Sequence, residues 1–263
     1  MFKLKFDRIV IKIITPILLI LAVSCGVSFI MLCINGPRPM LFAYEYDTDK
    51  IDSPAYLGYT VDYGEFYVND IIYLCDSVMA QMANENVLRD GNDTRQIWTG
   101  EDGDLPLSKN VTKTEIILPE IGEGAYIAEA AERNRPKYMI IALGISNGVR
   151  YCTEEQFKSY YTELILAIKE ASPETKIILQ SVLPVSSSYE RKTQGISIEK
   201  IDKANGWIIE LAEEHGVKYL NTASCLKNTR GYLDRKYDSG DGLHLNAEGY
   251  LKVLEYIRTH GYK

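Results

Sequence analysis

Short apolar runs alternate with stretches of helical period from about Val68 to the C-terminus, and this alternation does most to limit what the chain can fold into. The clearest run, Lys137-Tyr-Met-Ile-Ile-Ala-Leu143, is apolar at every position after its lysine and reads as a central strand buried on both faces. Asp70 to Cys75, Thr114 to Leu118, Lys176 to Leu183 and Val217 to Leu220 read as further strands. Helices are expected over 77–86, 125–134, 153–171 and 198–214, with a last one over 247–259 capped by Asn246. Thr153 and Gln156 have the spacing of a capping box, and Pro136 ends the helix before the central strand. Arg89 to Ser108 carries Gly91, Gly100, Gly103, Pro106 and Trp98 and reads as a hairpin or excursion. Strict alternation requires right-handed crossovers and a sheet covered on both faces. The expected class is therefore α/β, a three-layer α/β/α sandwich around a mostly parallel sheet.

The N-terminus reads differently. Lys3, Lys5, Arg8 and Lys12 precede an almost uninterrupted uncharged apolar run from Ile13 to Asn35, long enough to cross a bilayer as one helix. Basic residues before the run favour a cytoplasmic N-terminus, with the remainder outside the cytoplasm. A signal peptide would have a shorter apolar region, whereas Phe29 to Leu32 continue past the small residues near Ser24. The same continuation speaks against acylation at Cys25. The expected division is a basic cytoplasmic segment 1–12, a transmembrane anchor 13–35, a stalk 36–66 and one α/β domain 67–263.

Beyond the run, 25 basic residues stand against 35 acidic ones, a net charge near −10. That excludes nucleic acid as a partner, since phosphate binding needs a basic surface. Of five cysteines only Cys75, Cys152 and Cys225 lie outside the apolar run, an odd number without framework spacing. With three histidines and no Cys-x-x-Cys or His-x-x-x-His pair, neither a metal nor a cofactor site is expected.

Ligands of such sheets bind beyond the carboxyl ends of the strands. Candidate positions are therefore Asp76 and Ser77, 144–148, 184–188 and the loop ending at His244. His215 and His260 stand at helix ends, where a cationic side chain suits the helix dipole. His244 alone follows an acidic residue, Asp241, at three residues' distance. One turn of chain can aim that carboxylate at one imidazole nitrogen and leave the other free to take a proton from a nucleophile. Two serines follow strands closely enough to be that nucleophile. Ser146, in Gly144-Ile-Ser-Asn-Gly148, satisfies the Gly-x-Ser-x-Gly pattern, but the helix that should begin at the serine is capped only at Thr153. Ser77 ends the first strand just where a helix begins, and a helix N-terminus stabilises developing negative charge. Taken alone, Ser77 would be an ordinary capping serine.

Together these pieces resemble the SGNH hydrolases, also called the GDSL family, from about Asp70 to the C-terminus. Cys75-Asp76-Ser77 is similar to the family's Gly-Asp-Ser motif, and Asp241-Gly-Leu-His244 to its terminal Asp-x-x-His. Gly144-Ile-Ser-Asn147 is similar to the Gly-x-x-Asn after the third strand, whose asparagine donates to the oxyanion. The resemblance implies a flavodoxin-like fold and a serine-dependent acyl-ester hydrolase, with a triad of Ser77, His244 and Asp241. Its oxyanion hole would comprise the Ser77 N–H, the Asn147 side chain and one glycine N–H. Gly122 is the preferred glycine, Gly124 the alternative and Gly100 a more distant third. Two positions depart from the family: Cys75 replaces the motif glycine, and Gly148 stands where an aspartate is common. The expected substrate is an acylated small molecule or an acetylated glycan of the cell envelope, reached by a domain anchored through residues 13–35. The same residues would serve an O-acyltransferase or a lipase, and a non-catalytic glycan- or partner-binding domain is the alternative of a different class.

Overall fold

The computed structural model describes residues 51–119 and 122–262. The basic N-terminus, the expected anchor 13–35 and residues 36–50 of the expected stalk lie outside these residues. Among the described residues no helix is long and apolar enough to cross a membrane.

The strands in chain order are β1 Ile71–Cys75, β2 Ile97–Trp98, β3 Glu115–Leu118, β4 Glu123–Tyr126, β5 Tyr138–Ala142, β6 Lys176–Gln180 and β7 Lys218–Leu220. Five of them form one parallel sheet in the order β2-β1-β5-β6-β7, while β3 and β4 pair as a separate antiparallel hairpin. Counted along the sheet alone, the order is 2-1-3-4-5, a doubly wound topology. Every residue of β5 is buried, as its unbroken apolar run requires of a strand paired on both edges and covered on both faces.

The helices are α1 Gly64–Asn69, α2 Ser77–Asn84, α3 Ile127–Asn134, α4 Gly148–Tyr151, α5 Glu154–Ala171, α6 Ser187–Lys192, α7 Ile198–Glu214 and α8 Ala247–Thr259. The capping box forms: Thr153 Oγ1 accepts from the Gln156 N–H at 3.3 Å, and Gln156 Oε1 from the Thr153 N–H at 3.0 Å. Asn246 caps α8 by accepting from the Gly249 N–H at 2.9 Å. Helices α3, α5 and α7 pack in succession, and α8 packs against α1. The step from β1 to β2 runs against the direction of all later steps, so a right-handed crossover puts α2 on the face opposite α3, α5 and α7.

Two elements differ from the sequence reading. The run at 114–118 is a strand, but of the hairpin, and the second strand of the sheet is β2, inside the glycine-rich excursion. Only Ile97 and Trp98 pair with β1, opposite Tyr73 and Leu74, which is too short a segment to show a period. The segment expected as stalk also joins the sheet: Ala55 and Leu57 are buried, and Tyr56 forms a parallel bridge with Tyr219 of β7. The Leu57 N–H donates to the Tyr219 carbonyl at 2.9 Å, and the Tyr219 N–H to the Ala55 carbonyl at 2.8 Å. Ile51, the first described residue, also packs against the core.

One bond ties the C-terminal helix to the first turn of α2: the buried Tyr250 hydroxyl donates to the Val78 carbonyl. Tyr250→Phe is expected to cost about 1 kcal/mol, read as a lower urea midpoint at unchanged slope. An unaltered midpoint would show that the bond contributes nothing to stability.

Candidate active site

The sheet order reverses at β1, so the carboxyl ends of β1 and β5 flank the crevice where doubly wound sheets bind their ligands. Asp76 and Ser77 leave β1 there, and Gly144 to Asn147 leave β5. Asp76 joins the two. Its N–H donates to the Ala142 carbonyl at 3.1 Å, continuing the ladder for one residue. One carboxyl oxygen accepts from the Val78 N–H at 3.3 Å and so caps α2. The other accepts from the Gly144 and Ile145 N–H groups at 3.1 and 3.3 Å. Burial and the nearby Asp104 carboxyl push Asp76 up to about 7 against the opposing effect of those three donors.

The loop after β5 is shaped by close contacts. Gly144 has φ +133°, and a Cβ there would lie 3.1 Å from Val182 and 3.3 Å from Phe157. The buried Tyr161 hydroxyl holds the Leu143 carbonyl at 2.7 Å. Asn147 donates one amide hydrogen to the Leu107 carbonyl at 2.8 Å, which leaves its second hydrogen unassigned. The departure at Gly148 has a steric cause. A Cβ at that position would meet the Phe157 ring at 2.9 Å and Leu107 at 3.0 Å, so an aspartate would require these side chains to shift, and the Leu107 carbonyl braces Asn147 in its place. Cys75, the other departure, is fully buried, and burial pushes its thiol well above the usual range.

The loop that carries His244 is held by its own side chains. Asp238 accepts from the Gly240 N–H at 2.7 Å and the Gly242 N–H at 2.9 Å, and the Ser186 N–H reaches the Gly242 carbonyl at 2.8 Å. Asp241 Oδ2 lies 2.6 Å from His244 Nδ1, while Oδ1 accepts from the Leu243 and His244 N–H groups, both at 2.8 Å. Partial burial pushes Asp241 up, but the bond with the His244 ring and those two N–H groups outweigh it and hold the carboxyl below its usual range. An ionised carboxylate at this distance fixes the proton on Nδ1. His244 Nε2 is buried and engages no hydrogen-bond partner. His215 and His260 stand at helix C-termini, where His215 Nε2 lies 3.0 Å from Thr162 Oγ1 and His260 stacks on Tyr256.

Val78 and Leu243, the chain neighbours of Ser77 and His244, line one cavity of about 20 Å³ together with Ile145 and Val182. The structure thus gathers the stretches around Ser77, Asn147, Asp241 and His244 at one end of the sheet. Gly122 lies exposed in the hairpin turn with its N–H donating to the Leu118 carbonyl at 2.9 Å, and Gly124 is exposed on β4 opposite Ile117. Gly100 is buried directly after β2, beside the end of β1, and a Cβ there would lie 2.4 Å from the Asp104 carbonyl oxygen. Ser146 sits in a turn with its hydroxyl buried, two residues before α4 begins. Sequence reasoning missed Asp104, whose Oδ1 accepts from the Ser77 N–H at 2.9 Å. The signal was the pair of glycines in Gly100-Glu-Asp-Gly-Asp104, which read only as a loop. Among the described residues no cluster of histidine, cysteine and acidic side chains could hold a metal ion.

A model of the GDSL-like Lipase/Acylhydrolase family matches residues 82–252, more than half of the chain. The chain belongs to this family. The match begins after Ser77, which stands at the end of β1 outside the matched residues. Among solved structures, a protein from Streptococcus pneumonia provisionally described as a platelet activating factor has 20% identity and a TM-score of 0.50, over 72% of this chain and 82% of its own. That likeness supports the fold. A periplasmic domain of a lipopolysaccharide acetyltransferase from Salmonella ser. Paratyphi A has 15% identity and a TM-score of 0.47, over 72% of this chain and 82% of its own. No curated protein matches the sequence. The GDSL-like chain is an enzyme, an esterase of the SGNH type.

Asp76 gives the site a pH signature. Its folded value is raised from 3.8 to about 7, so its contribution to stability is full below 3.8 and is lost as pH rises through about 7. Asp76→Asn does not titrate. The unfolding free energy of the wild type relative to this variant should fall between pH 4 and pH 7, as that shift dictates, and be level above about pH 8. A difference that stayed constant with pH would mean that Asp76 is ionised throughout.

Proposed function

We propose that the chain hydrolyses short acyl esters with Ser77 as nucleophile, His244 as general base and Asp241 as its partner. The observation that carries this reading is the Asp241–His244 pair at 2.6 Å, with Nε2 unengaged and Leu243 beside it sharing a cavity with Val78. The Ser77 hydroxyl attacks the ester carbonyl as Nε2 takes its proton, and Asp241 stabilises the imidazolium. The tetrahedral intermediate collapses as the imidazolium protonates the departing alkoxide. Water then attacks the acyl-enzyme by the same route and frees the acid and Ser77. In the resting structure Ser77 is not hydrogen-bonded to Nε2, and such bonds commonly tighten only with substrate in place.

Charge that develops on the carbonyl oxygen falls to the Ser77 N–H, the second amide hydrogen of Asn147 and, in preference to Gly122 or Gly124, the Gly100 N–H. Position favours Gly100, because it follows the strand next to β1. Losing one such donor typically costs about 3 kcal/mol of the barrier. The small cavity of about 20 Å³ between Val78, Ile145 and Leu243 favours short acyl groups over long chains. The alcohol side is read as carbohydrate of the cell envelope, on the strength of the apolar run 13–35 and the basic residues before it, which would anchor the domain outside the cytoplasm.

Hydrolysis of p-nitrophenyl acetate by the full-length chain tests this. Ser77→Ala and His244→Ala should each lower kcat/KM by at least about 10³-fold, while Ser146→Ala retains wild-type turnover. Loss in Ser146→Ala with Ser77→Ala still active would overturn the triad. The cavity carries a prediction of its own: the acetyl ester should exceed the octanoyl ester by at least about tenfold in kcat/KM. Equal rates would dissociate the cavity from the acyl group.

A further inference from the structure

The Ser77 N–H is an oxyanion donor in the proposed mechanism, yet at rest it is held by a carboxylate, Asp104 Oδ1 at 2.9 Å. The negative oxygen of Asp104 thus stands where the substrate's carbonyl oxygen would have to bind. Asp104 is partly buried, and none of the ion pairs among the described residues involves it. Its charge reaches inward as well, because it is among the causes that raise Asp76. The segment that carries it turns tightly: the Gly103 N–H donates to the Gly100 carbonyl at 2.9 Å, and Gly103 has φ +74°.

A substrate carbonyl can take the Ser77 N–H only if Asp104 gives it up. A partly buried carboxylate that loses a charge-assisted bond needs another donor nearby, and leaving it unpaired is costly. A neutral ester supplies none. An ester with an ammonium group beside its carbonyl supplies both a donor and a charge at the spot that Asp104 vacates. We propose that Asp104 is a specificity-determining residue that selects esters bearing an ammonium group next to the scissile carbonyl. This rests on Ser77 being the nucleophile.

Asp104→Asn isolates the charge, because the amide oxygen can still accept from the Ser77 N–H. The probes are the p-nitrophenyl esters of alanine and of isobutyric acid, which have the same shape but differ in charge, assayed on the full-length chain with Ser77→Ala beside it. Intrinsic reactivity cancels when the ratio of kcat/KM for the two esters is compared between wild type and variant. The ratio should drop by about tenfold in Asp104→Asn, the scale of one unit charge interacting across a few ångströms of partly hydrated protein. Ser77-dependent hydrolysis with an unchanged ratio overturns the role of Asp104 and leaves the triad standing. Turnover that is absent, or indifferent to Ser77→Ala, overturns the nucleophile and this inference together.

Discussion

The buried Asp76 carboxyl is the interaction on which the rest of the site depends. Strands β1 and β5 end side by side, and beyond their last ladder bond nothing in the sheet fixes the two departing loops. Asp76 supplies that constraint by accepting from the first turn of α2 and from the loop after β5 at once. Ser77 and Asn147, which sit on opposite sides of this tie, are thereby set relative to each other. A carboxyl this deep would be prohibitive without such donors. With three of them its value still rises to about 7, so burial outweighs hydrogen bonding even in a well-satisfied site.

Three carboxyl groups near the crevice illustrate how environment assigns roles to one functional group. Asp76 is pushed up by burial and serves as a structural tie. Asp241, half exposed and bonded to His244, is held down and stays ionised. Separation of carboxyl groups in this manner marks the division of labour in acid–base sites. Asp104 is the third, and its Oδ1 accepts from the Ser77 N–H at the start of α2.

Much of this was legible in the sequence. Long, strongly patterned elements such as β5, α5, α7 and α8 follow from apolar period and capping residues, and the Asp241 to His244 spacing singled out the one histidine with an acidic partner. The short elements were not legible. β2 has two residues, and its burial comes from contacts with β1 that no local pattern encodes. With that strand unread, Gly100, which follows it, ranked behind Gly122 and Gly124. Gly148 read only as a departure from the family, although a Cβ there would already crowd Phe157 and Leu107. Asp104 was hidden for a related reason, because it reaches Ser77 across a turn whose course only the tertiary fold defines.

The central claim is that Ser77, activated by His244, is the nucleophile, and mapping a covalent adduct addresses it with no assumption about substrate. The full-length chain would be treated with a fluorophosphonate, digested, and the modified residue located by peptide mass spectrometry. Phosphonylation of Ser77 is expected in the wild type and should be absent in His244→Ala. An adduct on Ser146, or labelling of Ser77 that persists without His244, would contradict it.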